Sequence, residues 1–319
     1  MNKDLALPLP LYPFPSLISP LSEQIAADTV KWIEEDFCFL NDKMQYKYCK
    51  SNFGKLSARC LPDMPAYERL QIAAKFMLWG TIFDDYFEFK PLDELVLLHD
   101  RAMQILEGSV PTQTDSPFFP ILAGIRDSLQ ALMPPSWLKR FSRNVGIWIA
   151  SMQEEVPYKG IMRFPSLSNF ELLREKTIGI QAYLDLIELQ LGGCLPDAVM
   201  LSPYMKELYR LVSRISAWCN DFFSIEKDID REPLNLVLVL QQERGLPLQE
   251  AYNDAFVIHN RDVAEFMTLQ AAVPDFGSYT ADVKRFVYYL GIMIQGQNDW
   301  YQIDTLRYKQ GGFPEKGNF

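Results

Sequence analysis

The sequence is poor in the side chains that most often carry acid–base or thiol catalysis. Its 319 residues include two histidines and five cysteines. The odd cysteine count and the lack of any Cys-x-x-Cys spacing indicate neither a disulfide framework nor a zinc site. His99 and His259 fall in no motif, so we expect each to be a surface or core residue. We expect reduced thiols at Cys38, Cys49, Cys60, Cys194 and Cys219.

An excess of positive charge and a long apolar run are also missing. The formal net charge is −10 and the sequence pI is about 4.9, which argues against binding to nucleic acid or to an anionic membrane surface. No stretch reaches the roughly 18 apolar residues of a membrane span. Prolines interrupt the N-terminal apolar run, unlike a signal peptide. We expect a soluble cytoplasmic protein, in which a polyanionic substrate would need the help of a metal ion.

The apolar pattern predicts an all-α fold. Strand-like alternation is nowhere sustained, whereas helical spacing covers about 65–89, 92–107, 118–133 and 136–154. Proline- and glycine-rich breaks, such as 157–165, separate about ten helices. No linker or repeat divides the chain, so we expect one domain over residues 1–319. Residues 1–20 would form a proline-rich arm packed on its surface, and residues 311–319 a polar tail that folds over a pocket mouth or frays.

Two polar stripes interrupt otherwise apolar helices. In the first, Asp84 and Glu88 lie one turn apart on one helix face, with Asp85 about 100° away, so two carboxylates can share a metal cluster while the third supports them. In the second, Asn220, Ser224, Lys227 and Asp228 project towards one side of a helix. Oxygen donors at single-turn spacing suit Mg²⁺, and Lys227 would face the phosphates that such an ion shares.

Together the two stripes resemble the metal motifs of the class I terpene synthases, in particular the microbial cyclases that consist of a single α domain. Asp84-Asp85-Tyr86-Phe87-Glu88 is similar to the aspartate-rich motif, and Asn220 to Asp228 is similar to the second metal motif. Asp228 departs from that motif, whose last member is ordinarily a glutamate, and is one methylene shorter. Arg174 resembles the diphosphate-sensing arginine of the family, and Arg307-Tyr308 resembles its Arg-Tyr pair. The resemblance covers nearly the whole chain.

The resemblance implies a helical bundle around a central apolar cavity and a Mg²⁺-dependent ionisation of a linear isoprenyl diphosphate. Three Mg²⁺ ions would bridge the diphosphate and the two motifs, and the resulting carbocation would cyclise to a hydrocarbon or alcohol. The expected metal-binding set is Asp84, Asp85, Glu88, Asn220, Ser224 and Asp228. The expected catalytic residues are Asp84, Arg174, Asn220, Ser224 and Asp228. The expected diphosphate-binding set is Arg174, Lys227, Arg307 and Tyr308. The expected cavity wall is Phe76, Met77, Gly80, Phe83, Phe87, Ile178, Gly179, Trp218 and Trp300.

The sequence leaves the substrate and two rival functions open. Small side chains at Gly80 and Thr81 would deepen the pocket and favour C20 geranylgeranyl diphosphate, whereas C15 farnesyl diphosphate is the commoner substrate of the family. A chain-elongating isoprenyl diphosphate synthase would share the fold, but it should carry an aspartate-rich motif in both places. A non-catalytic isoprenoid-binding protein would not need the arginines. Paired subunits are common among such proteins, so a homodimer is possible.

Overall fold

The computed structural model describes residues 8–309 and 311–312, and within them the protein is all-α, as predicted. The described residues contain no strand, and no helix among them is long and apolar enough to cross a bilayer. The helices, numbered in chain order, are α1 Ser22–Glu35, α2 Asp42–Ser51, α3 Phe53–Cys60, α4 Tyr67–Phe87, α5 Leu92–Leu106, α6 Phe118–Gln130, α7 Pro135–Lys159, α8 Leu167–Thr177, α9 Ile180–Asp185, α10 Ile187–Leu191, α11 Asp197–Met200, α12 Pro203–Asp228, α13 Leu236–Arg244, α14 Leu248–Ala271 and α15 Thr280–Asp299. A 3₁₀ turn (Gly277–Tyr279) precedes α15, and a π-helical turn (Trp300–Asp304) follows it.

The described part of the chain therefore has fifteen α-helical segments rather than about ten, because some helices are divided by a single residue. Asn52 has φ +57° and separates α2 from α3. In the other direction, the break predicted at Pro157 is wrong, since α7 continues through this proline to Lys159. Pro157 lies in the last turn of the helix, so its missing N–H removes a single hydrogen bond of the ladder and the helix ends two residues later.

The second metal stripe lies at the end of α12, the longest helix. Ser202 caps the start of α12 by accepting a hydrogen bond from the Met205 N–H, and Pro203 occupies the first turn, where proline is favoured. The helix ends at Asp228, after which the chain turns back and begins α13 with Asn235 as the N-cap. The last turn of α12 and the first turn of α13 therefore meet at one place.

A helix break follows the segment that carries Arg174. α8 ends at Thr177, Gly179 has φ +69°, and α9 begins at Ile180. A positive φ costs glycine no steric strain because it has no Cβ. The break bends the chain at the wall of the central cavity, so Ile178 and Gly179 both line it.

The proline-rich arm, of which residues 8–20 are described, packs against the helical body. The Tyr12 hydroxyl lies 2.8 Å from Nε2 of the buried His259, and the Ser16 hydroxyl donates to Asp299 at 2.5 Å. Further along, the Ser19 N–H donates to the Ala58 carbonyl. Residues 1–7 of the predicted arm and residues 313–319 of the predicted tail lie outside the described residues.

The His259 contact predicts how stability depends on pH. Burial away from water lowers the pKa of His259 to about 4 from an ordinary value of 6.5, and the contacts with Asn260 and Asp262 offset only part of this effect. Between pH 6.5 and pH 4, His259 is therefore protonated in the unfolded chain but largely neutral in the folded one. The free energy of unfolding consequently decreases as the pH falls from 6.5 towards 4. We expect a loss on the order of 3 kcal/mol from this group, measured by urea unfolding at pH 7 and pH 4.

The matched control uses the second histidine. His259→Gln should remove this component of the pH dependence, whereas His99→Gln, at a half-buried site on α5, should retain it. An identical pH profile for the unsubstituted protein and His259→Gln would contradict the assignment.

Candidate active site

A cavity of about 240 Å³ lies between α3, α4, α7, the α8–α9 break, α12 and the C-terminal end of α15. One part of its lining is apolar and aromatic, and another part is charged. The apolar part includes Phe53, Leu56, Phe76, Met77, Trp148, Ile178, Met293 and Trp300. The charged and polar part includes Asp84, Asp85, Glu88, Glu155, Lys159, Arg174, Asn220, Lys227, Asp228, Glu232, Arg307 and Tyr308. An apolar pocket with charges gathered at one side suits a ligand with a hydrocarbon chain and an ionic head.

Most residues that the sequence singled out meet at this cavity. Both metal stripes, the arginine of α8 and the Arg-Tyr pair contribute to its lining, as do Phe76, Met77, Gly80, Ile178, Gly179 and Trp300. Ser224 does not line the cavity itself. It is buried one helical turn from Asp228, and its hydroxyl donates to Oδ2 of Asp228 at 2.5 Å.

Three expected wall residues lie elsewhere. Phe83 and Phe87 are buried on the far side of α4 in an aromatic cluster around Phe118, with ring centroids 5.5 and 5.2 Å from that ring. Trp218 is buried against Phe170, and its indole N–H donates to Asp262 at 2.9 Å. These aromatic side chains stabilise the core, so the expectation that they form the cavity wall is wrong.

The carboxylates of α4 have two different environments. Asp85 is held by neutral and cationic donors, since Arg307 donates to both of its oxygens at 2.7 and 2.8 Å and the Tyr48 hydroxyl donates at 2.9 Å. The Asp84 carboxylate accepts no hydrogen bond from any described residue. Removal from water raises the pKa of Asp84 to about 8 and that of Glu88 to about 7, and in each case the ammonium of Lys159 offsets part of the effect.

The polar groups of α12 are connected to the opposite wall. The Asn220 amide donates to the hydroxyls of Tyr301 and Tyr308 at 2.7 and 2.9 Å, and its oxygen accepts from Arg174 at 2.9 Å. Arg174 also donates to Asp221 at 2.8 Å. The nearby carboxylate of Asp221 keeps the guanidinium charged, which raises the pKa of Arg174 despite burial. Both arginines of the cavity are thus oriented by carboxylates.

Several cavity residues were not identified from the sequence. Lys159 lies 2.7 Å from Glu155, 3.2 Å from Glu88 and 3.9 Å from Glu232, and so connects α7 to the ends of both metal stripes. The i,i+4 spacing of Glu155 and Lys159 could have indicated the pair, but the break expected at Pro157 placed them on different elements. Asn235 and Tyr301 were also missed, because their contacts to α12 join residues that are distant in sequence.

The comparisons with known proteins identify the family of the chain. Residues 75–265 match the family described as terpene synthase family 2, C-terminal metal binding. The chain belongs to this terpene synthase family. It is 30% identical over 296 residues to the (+)-T-muurolol synthase ((2E,6E)-farnesyl diphosphate cyclizing) of Roseiflexus castenholzii, covering 91% of this chain and 90% of the relative. It is also 30% identical to the 10-epi-cubebol synthase of Sorangium cellulosum, covering 94% of this chain and 97% of the relative.

The fold of this terpene synthase is likewise that of solved class I enzymes. The crystal structure of α-eudesmol synthase superimposes with a TM-score of 0.83 at 20% sequence identity, covering 94% of this chain and 99% of that one. The predicted fold class and the predicted terpene cyclase activity are confirmed, and the family is a metal-binding one.

The oxygen atoms of the two metal stripes suit a metal ion that binds together with a ligand. They do not form a complete metal centre by themselves. No three acidic, histidine or cysteine side chains in the described ranges converge as a metal site by themselves. However, the buried Oδ1 of Asp228 forms an ion pair with Lys227 but accepts no hydrogen bond from the described residues, and none of these residues donates to Asp84. Carboxylate oxygens with raised pKa values or without donors are stabilised by a cation, so the residues fit a divalent ion completed by substrate oxygens.

The indole of Trp148 fills the space beside two glycines at the apolar end. A Cβ added to Gly80 would lie 3.6 Å from this ring, and one added to Gly179 would lie 2.9 Å from it. Trp148 also stacks edge-on against Trp79 and Phe83, which fixes its position. Gly80 and Thr81 both line the cavity, but the Trp148 ring occupies part of the space beside Gly80 and so limits the depth that its small size provides.

The close contact predicts the effect of a side chain at Gly179. Gly179→Ala must place a Cβ against Trp148 at a positive φ, and we expect a loss of about 2–4 kcal/mol in the free energy of unfolding and a loss of turnover. Gly192→Ala is the matched control, because Gly192 also has a positive φ but no atom within 4 Å of the added Cβ. It should cost about 1 kcal/mol, from backbone strain alone. Equal urea-unfolding results for the two variants would refute a role for the Trp148 contact.

Proposed function

We propose that the chain is a Mg²⁺-dependent sesquiterpene synthase that cyclises farnesyl diphosphate. The observation that carries the choice of substrate is the small cavity, in whose wall the Trp148 ring packs against Gly80 and Gly179. The resulting volume of about 240 Å³ lies below the usual range of ligand pockets, about 300–1,000 Å³. A C20 substrate carries about a third more hydrocarbon than a C15 substrate, so this cavity favours the shorter chain.

The relatives support the same substrate. The T-muurolol synthase, which matches nine tenths of this chain, is named as cyclising farnesyl diphosphate. Chain elongation is not supported, because the donors on α12 are an amide, a hydroxyl and a single aspartate rather than a second aspartate-rich motif. A non-catalytic binding protein would not require carboxylates and paired arginines to meet at one end of an apolar cavity.

The two metal stripes would hold Mg²⁺ from opposite walls. Asp84 and Glu88 would provide ligands on the α4 side, and Asn220, Ser224 and Asp228 would provide them on the α12 side. When bound, the proposed three Mg²⁺ ions supply Lewis-acid and charge-neutralising chemistry that makes diphosphate a competent leaving group. Asp85 differs from the other carboxylates, since Arg307 and Tyr48 already occupy its oxygens. We therefore assign it the role of orienting Arg307.

The cationic side chains would bind and orient the diphosphate. Arg174, Lys227, Arg307 and Tyr308 all reach the charged side of the cavity. Asp221 and Asp85 hold the two guanidinium groups before any ligand binds, so little side-chain freedom remains to be lost. Charge-assisted hydrogen bonds from these donors strengthen as negative charge develops on the departing diphosphate.

The apolar walls would protect the carbocation that remains. Phe76, Trp148 and Trp300 present aromatic surface in the cavity, and each aromatic face attracts a cation by about 0.5–2 kcal/mol. The remaining apolar lining excludes water. The described lining carries no histidine that could serve as a base, so the diphosphate itself or a trapped water would accept the final proton.

Incubation of the purified protein and Mg²⁺ with C10, C15, C20 and C25 diphosphates tests the proposal. We expect a C15 hydrocarbon or alcohol and free diphosphate from farnesyl diphosphate, detected by gas chromatography–mass spectrometry. A larger yield from the C20 substrate would overturn the assignment of substrate. A longer diphosphate formed on addition of isopentenyl diphosphate would instead favour chain elongation.

Replacement of Asn220 tests the α12 side of the site. Asn220→Ala removes a metal-binding oxygen and the amide that joins α12 to Tyr301 and Tyr308, so we expect turnover to fall at least a hundredfold with the helical circular dichroism spectrum retained. Glu226→Gln, on the exposed face of the same helix, should keep full activity. Full activity of Asn220→Ala at ordinary Mg²⁺ would refute the metal assignment. The homodimer and the cytoplasmic location expected from the sequence stay predictions.

A further inference from the structure

Asn235 makes an unusual set of contacts behind the second metal stripe. It is fully buried, and its side-chain amide lies 3.0 Å from Oδ2 of Asp228, 3.4 Å from the Ser224 hydroxyl and 2.8 Å from the carbonyl of Asp221. Its side-chain oxygen accepts the N–H of Val237 at 3.0 Å, as the N-cap of α13. Because both ends of the side-chain amide have partners, its rotamer and its donor direction are determined.

The two carboxylate oxygens of Asp228 have different partners. Oδ2 accepts hydrogen bonds from both Asn235 and Ser224. Oδ1 accepts no hydrogen bond from an amide or hydroxyl of the described residues, but it forms an ion pair with the Lys227 ammonium at 3.0 Å. Since Asp228 and Lys227 both line the cavity, Oδ2 is held from the side of α13, whereas Oδ1 is held by a cationic side chain of the cavity that a bound metal ion would replace.

A second contact fixes the segment that carries Asn235. The backbone N–H of Leu236, the next residue, donates to Oδ2 of Asp221 at 2.9 Å, while Oδ1 of Asp221 accepts from Arg174. The start of α13 is therefore attached to α12 near both ends of the stripe, at Asp221 and at Asp228. The contact with Asp228 needs the side-chain amide of Asn235, because an aspartate could cap α13 but could not donate to Asp228.

We propose that Asn235 is a positioning residue for the metal site, which holds Oδ2 of Asp228 so that Oδ1 is presented to Mg²⁺. The inference rests on the proposed function, because it concerns the metal that this function requires. Asn235 touches neither substrate nor metal. It acts through Asp228, whose short side chain leaves little freedom to correct its own orientation, and partners of this kind typically contribute 10–100-fold to metal affinity.

The test measures binding as well as activity. The thermal unfolding temperature of the unsubstituted protein and of Asn235→Asp is recorded as Mg²⁺ is titrated in the presence of inorganic diphosphate. Asn235→Asp keeps the cap of α13 but loses the donor, so we expect at least a tenfold rise in the Mg²⁺ concentration for the half-maximal shift, and the same rise for half-maximal turnover. Turnover at saturating Mg²⁺ should fall much less. Asn41→Asp is the matched control, since Asn41 caps α2 in the same way and should leave Mg²⁺ binding unchanged.

A double-mutant cycle separates positioning from a general loss of structure. In an Asp228→Asn background the effect of Asn235→Asp on the Mg²⁺ requirement should largely disappear, because the residue through which it acts has changed.

If Asn235→Asp fails to fold, Asn235→Ser, which retains a capping hydroxyl, takes its place in the same measurements. An unchanged Mg²⁺ midpoint in the folded variant would overturn the inference while leaving the proposed function intact. An unsubstituted protein that binds Mg²⁺ and diphosphate but yields no terpene would overturn the proposed function alone.

Discussion

The ion pair between Arg307 and Asp85 is the contact on which the charged side of the cavity depends. Both groups are buried, and two hydrogen bonds of 2.7 and 2.8 Å join the C-terminal segment to α4. A buried charge is costly unless it is paired, so this segment cannot leave α4 without exposing or stranding both groups. The pair brings Tyr308 next to Asn220, and in this way connects the walls that carry the two metal stripes.

The aromatic packing at the other end imposes a separate constraint. Trp148 needs space on both sides, and two residues without a side chain, Gly80 on α4 and Gly179 at the helix break, leave that space. The same glycine that permits the positive φ therefore also permits the close contact with the indole ring. The position of the Trp148 ring and the break in the helix consequently both depend on Gly179, so neither can change alone.

The sequence predicts the members of this site whose relationship is local. Asp84 and Glu88, or Asn220 and Ser224, share a helix face because of helical geometry alone. It does not distinguish the cavity side of α4 from its core side, since apolar residues cover nearly every face of that helix, and Phe83 was misplaced for this reason. The contacts of Asn235 and Tyr301 depend on how distant segments pack, which periodicity does not encode. Lys159 was missed because a proline in the last helical turn was interpreted as a break.

The balance of charge around the cavity explains why the synthase should need metal ions at all. Its lining includes six carboxylates, Asp84, Asp85, Glu88, Glu155, Asp228 and Glu232, but four cationic side chains, Lys159, Arg174, Lys227 and Arg307. When all are ionised the site is negative, and a diphosphate ester of about −3 would be repelled by it. Divalent cations reverse this sign, and the three ions proposed here bring the assembled charge close to neutral. The arginines alone cannot do so, because Asp221 and Asp85 already balance them.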